Sequence, residues 1–94
     1  MFVDVCAWLT REDYAAHRAL DPNGLPATFD EWLRNAERGV EDVKRKGIFL
    51  HRVAIDPDEL AAWCRANHRV VNGRARSQFA VVVYQRSHDN SRTA

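Results

Sequence analysis

Residues 28–55 read TFDEWLRNAERGVEDVKRKGIFLHRVAI, and the change of pattern inside this stretch decides the fold. Thr28 followed by Glu31 is a capping box, in which each side chain takes a backbone N–H of the first helical turn. Phe29, Trp32, Leu33, Ala36, Val40 and Val43 then recur at three- and four-residue spacing, the single apolar face of a helix. Acids gather at its start and Lys44-Arg45-Lys46 at its end, as the helix dipole favours. Gly47 supplies the stop. From Ile48 to Ile55 the spacing shortens and the segment reads as a strand. A helix of this length spans about 27 Å, so it is expected to be the long central slab on which the rest packs. Gly39 inside it costs about 1 kcal/mol against alanine, and a close crossing by another backbone is the expected reason.

Working outward, Asp56-Pro57-Asp58-Glu59 starts a further helix, with Asp56 as N-cap, Pro57 at the first helical position and Glu59 completing the box. Leu60, Trp63 and Cys64 form its apolar stripe, and Asn67-His68 fits its end. Upstream, residues 2–9 (FVDVCAWL) read as a strand with Val3, Val5, Ala7 and Leu9 on one face and Phe2, Asp4, Cys6 and Trp8 on the other. Both faces are mostly apolar, which predicts cover on both sides. Thr10 and Asp13 open a short helix over about 11–20, and Asp21-Pro22-Asn23-Gly24-Leu25-Pro26 closes it.

The end of the chain admits two structures. Asn72-Gly73 suits a hairpin turn, with Phe79–Tyr84 as a third strand, since Val81-Val82-Val83-Tyr84 has strong β character. Alternatively Asn72 caps a fourth helix, with Ala75, Phe79, Val82 and Val83 on one face; the helix is favoured. The expected class is therefore α+β, order β-α-α-β-α-α, with a small sheet of two strands, or three, against the long helix. The 94 residues, 46% of them hydrophobic, make one domain. It is expected to span 1–86, with 87–94 as a flexible tail.

Charge is unevenly placed. Residues 1–42 carry nine acids and four bases, and residues 43–94 four acids and ten bases. The acidic and basic parts are expected to face each other in the fold or in a dimer. Lacking a long apolar run or a basic leader, and with only Cys6 and Cys64 as thiols, the chain is expected in the cytoplasm, off the membrane, with both thiols free.

Chemistry-bearing residues are few. Cys64 and His68 have the i, i+4 spacing of half a metal site, but no second pair matches it, so neither a metal nor a cofactor is expected. Asp56, Asp58 and Glu59 are explained by capping. His51 shares a strand face with Phe49, Val53 and Ile55 and is expected as a hydrogen-bonded core residue; an enzyme site around His51 and Cys64 is the weakest option. Trp8, Trp32 and Trp63 are expected in packing. The best binding candidate is the basic cluster Arg65, His68, Arg69, Arg74 and Arg76, since guanidinium forks suit phosphate or carboxylate. No RNP sequence, zinc-finger spacing, GxxG loop, Walker loop, GxGxxG, GxSxG or HExxH accompanies it.

The order Pro26-Ala-Thr28-Phe-Asp30-Glu31-Trp32-Leu33, then Asp56-Pro57-Asp58-Glu59-Leu60-Ala-Ala-Trp63-Cys64-Arg65, then Asn72-Gly-Arg-Ala75-Arg76-Ser-Gln-Phe79-Ala80, resembles small uncharacterised bacterial proteins of about this length. The resemblance implies no catalytic residue and favours a helix in the last segment.

A two-stranded sheet has open edges, and open edges invite pairing with another chain. The expected function is thus a non-enzymatic protein-interaction module, homodimeric or bound to another protein. Nucleic-acid or anionic-ligand binding through Arg65–Arg76 is the alternative.

Overall fold

The computed structural model describes the backbone of residues 2–93 and the side chains of residues 2–87. Its order is β1 (Phe2–Trp8), α1 (Tyr14–Leu20), α2 (Phe29–Arg45), β2 (Ile48–Ala54), α3 (Pro57–Ala66) and α4 (Gly73–Thr93). This is the α+β arrangement the patterning implies. Local chemistry sets the boundaries. The Glu31 N–H donates to Thr28 Oγ1 at 3.2 Å and the Glu59 N–H to Asp56 Oδ2 at 2.9 Å, so Thr28 and Asp56 cap their helices. Gly47 takes φ +86, the left-handed conformation that ends α2. The Asp13 N–H donates to Thr10 Oγ1, but residues 11–13 form a turn and α1 begins only at Tyr14.

The last segment is helix, not a third strand. Asn72 Oδ1 accepts the Ala75 N–H at 2.9 Å, and Ala75, Phe79 and Ala80 are buried at helical spacing. Burying that stripe outweighs the few tenths of a kcal/mol that each β-branched valine costs in a helix. The helical backbone runs on to Thr93, through most of the stretch read as a tail; the side chains beyond Ser87 lie outside the described residues.

β1 and β2 pair in parallel, Phe2 beside Ile48 through Trp8 beside Ala54. Parallel strands need a long crossover, here α1 and α2. Side chains at paired positions share a face, so Val3, Val5 and Ala7 lie with Phe49, His51 and Val53. That face meets α4, where the His51 and Tyr84 rings stand edge to face at 5.2 Å. The opposite face meets α2, where Trp8 and Trp32 stand edge to face at 5.1 Å. The sheet is a thin middle layer between two helices.

Two expectations about α2 are corrected. It packs on the sheet, yet none of its residues is buried, so it is not the centre of the core. The core lies instead at the C-terminal ends of the strands, where Leu9, Val53 and Ile55 meet Tyr14, Leu60, Cys64 and Phe79. Nor does any backbone cross at Gly39, where an added Cβ would meet nothing within 4 Å.

Candidate interaction surface

Burial along the sheet runs as a gradient. Leu9 and Ile55, just past the strand ends, are 1% and 3% exposed, whereas Phe2 and Val3 are 76% and 66% exposed and Phe49 51%. The cover predicted for both faces is real only at the C-terminal end. At the other end three large apolar side chains face solvent, Val3 beside its partner Phe49 on one face and Phe2 on the other.

The two edges of the sheet differ. The Phe2 N–H donates to Gly47 O at 3.0 Å, so the peptide groups of Phe2 point at β2. Strand alternation then sends those of Asp4, Cys6 and Trp8 the same way and those of Val3, Val5 and Ala7 outward. At the middle of that outer edge the Val5 N–H is already taken, donating to Asp4 Oδ1 at 2.8 Å. On β2 the outward groups belong to Ile48, Leu50, Arg52 and Ala54. Four consecutive residues, Phe49 to Arg52, line a hollow of about 380 Å³ with Val40, Glu41 and Lys44 of α2.

The structure divides the basic cluster. Arg76 is 9% exposed, and its Nη1 donates to Asp21 Oδ2 at 2.8 Å, pinning α4 to the end of α1. It is a structural residue and leaves the candidate anion site. The acid it meets is Asp21, in the turn after α1. Arg65, His68, Arg69 and Arg74 are exposed. The Arg69 guanidinium lies 5.5 Å from the Trp63 ring centroid and donates to Gln78 Oε1. His68 has φ +54 and stands where a helix of this ending usually has glycine. The Arg69 N–H donates to Cys64 O and the His68 N–H to Arg65 O, the paired bonds of a Schellman ending. Arg65, Arg69 and Arg74 remain as exposed guanidinium groups around the α3–α4 connection.

Cys64 and His68 do not form half a metal site, because α3 ends at Ala66 and Cys64 is 2% exposed while His68 faces solvent. Among the described residues no group of three His, Cys, Asp or Glu could hold a metal ion. Both cysteines are free, and burial pushes each thiol up from its ordinary value, away from the reactive thiolate. His51 is exposed against Tyr84, not in the core as expected, so the His51–Cys64 option has no shared site.

The buried histidine is His17, which the sequence reading passed over. It is 1% exposed, and its Nε2 lies 3.1 Å from Ile55 O. A carbonyl only accepts, so Nε2 carries the proton, and the bare Nδ1 is buried without a partner. Burial, foremost, and the nearby Arg76 charge hold its pKa below 6.5 despite the Ile55 bond. Leucine or methionine would give the same spacing in α1, so only the contact with Ile55, far away in sequence, marks it.

Tyr14, Phe29 and Trp32 contact one another and Trp8 stands against Trp32, with Arg52 4.1 Å from the Trp8 ring centroid and Arg11 4.7 Å from that of Phe29. Among the described residues no helix is long and apolar enough to cross a membrane. No protein-family model, curated protein or solved structure matches the chain.

Proposed function

We propose that this protein is a non-enzymatic cytoplasmic interaction module that associates with itself. The observation that supports it is the open end of the sheet, with Phe2, Val3 and Phe49 at 76%, 66% and 51% exposure on a two-stranded sheet whose outer edges have no strand partner among the described residues. Large apolar side chains grouped at an unpaired edge mark an association surface. Two free thiols, one of them deep in the core, suit a reducing compartment.

Sedimentation equilibrium from micromolar to millimolar chain tests this. A dimer over that range is the expected result, and a monomer throughout overturns it. Anion binding through Arg65, Arg69 and Arg74 is the competing function. It predicts retention on heparin that weakens steeply with salt and falls when two of the three are changed to alanine.

A further inference from the structure

We infer that the hollow between α1 and the start of α2 binds a small organic acid, its carboxylate held by Arg18 and its apolar body by the walls. The site shares no residue with the exposed end of the sheet, so it stands apart from the self-association proposed above.

The hollow encloses about 500 Å³, a volume typical of small-molecule sites. It exists because its walls are short. Ala15 and Ala19 of α1, with Pro22 and Ala27 of the connection, carry side chains too small to fill it, and Phe29 at the start of α2 completes the lining. Such walls suit the apolar part of a ligand. None of the described residues that line the hollow is acidic.

The charge in the hollow names the ligand. Arg18 lines it and is half-buried, and its Nε–H donates to Pro26 O at 3.2 Å. That bond holds the guanidinium in place. Its two Nη groups have no hydrogen-bond or ion-pair partner among the described residues. With Nε occupied, the free edge of the guanidinium offers two parallel N–H groups, the match for both oxygens of one carboxylate. A partly desolvated cation also gains from a counter-ion. The second cation lining the hollow is already engaged. Arg11 Nη2 donates to Asp30 Oδ1 at 2.8 Å, and the Arg11 guanidinium lies 4.7 Å from the Phe29 ring centroid. One free fork, one paired cation and an apolar remainder select a single carboxylate on an apolar body. A phosphate brings more charge and three acceptor oxygens, and one fork does not satisfy them.

The test follows the amide resonances of the full chain by NMR during titration with phenylacetate. Saturable shifts at Ala15, Arg18 and Ala27 are expected at millimolar probe. Phenethyl alcohol, which lacks the carboxylate, should bind about tenfold more weakly or worse. Arg18→Met should weaken phenylacetate by a similar factor. The fold should survive that change, because the Tyr14 hydroxyl also donates to Pro26 O, at 2.7 Å. Ala15→Leu fills the hollow, keeps Arg18 and should abolish binding. No shift at tens of millimolar phenylacetate overturns the site. Equal binding of the alcohol, or of phenylacetate by Arg18→Met, overturns the role of Arg18. Unchanged binding by Ala15→Leu overturns the hollow as the place. If Arg18→Met does not fold, the alcohol comparison and Ala15→Leu decide the matter. Binding of an acetylated Glu-Phe amide without binding of phenylacetate makes the occupant an acidic protein segment, and overturns the small acid.

Discussion

The two ends of the sheet carry the same kind of sequence and meet different fates. Val53 at the C-terminal end of β2 is 9% exposed, whereas Phe49 near its start is 51% exposed, though both lie on one face of one strand. Apolar alternation states what a strand is able to bury; the connections decide what it does bury. Because β1 and β2 are parallel, both chains leave the sheet at the same end. The starts of α1 and α3 are therefore tethered there, and α4 follows α3 back across it. The opposite end receives the return of α2.

The largest effect that would sharpen this contrast is in the core. Phe79→Ala removes a side chain that is 1% exposed. It should cost about 3–5 kcal/mol in urea unfolding, whereas Phe49→Ala should cost under about 1 kcal/mol. Equal losses would mean that the open end is as well packed as the closed one.

Next comes the Asp21–Arg76 pair, whose side chains are 14% and 11% exposed. Arg76→Ala leaves a nearly buried carboxylate alone and should cost about 3 kcal/mol. Asp21→Ala should cost a similar amount, and the double variant clearly less than the two together. Strict additivity would show that the two groups do not stabilise the closed end as a pair.

His17 gives the closed end a pH dependence. Its pKa is lowered in the folded protein, so below 6.5 the unfolded chain binds a proton that the folded chain resists. The stability it contributes is complete above 6.5 and is lost as pH falls toward the folded value. The slope is at most about 1.4 kcal/mol per pH unit. The difference between wild type and His17→Gln, followed by urea unfolding from pH 7.5 to 5.5, should show this slope; a flat difference contradicts it.

The smallest effect lies on α2. Gly39→Ala adds a methyl group into open space. It should raise stability by about 0.5–1 kcal/mol, seen as a higher Tm. Destabilisation would mean that something packs on Gly39 after all.

Elements were legible in the sequence because their signals are local. Thr28 with Glu31, Asp56 with Pro57, and Gly47 each act within one turn, so spacing alone locates them. Asn72 is a weaker case: cap and hairpin turn use the same residue, and only the burial of Phe79 and Ala80 decides between them. The site was less legible. The five basic residues are neighbours in the chain, but Arg76 is taken by Asp21, which lies 55 positions away. His51, expected in the core, is exposed, and the buried histidine is His17, because burial of either depends on which helix crosses over it. Gly39 followed an ordinary preference without the ordinary reason. The Asp4–Val5 bond needs only adjacent residues, yet its meaning depends on knowing that Val5 faces away from β2.

That bond also matters during synthesis. β1 leaves the ribosome long before its partner strand, since two helices must be made before Ile48 appears. Through that interval β1 is an apolar segment with neither edge paired, the condition in which nascent chains stick to one another. Asp4 reaches Val5 without any folding, so the strand can carry its own guard while it waits.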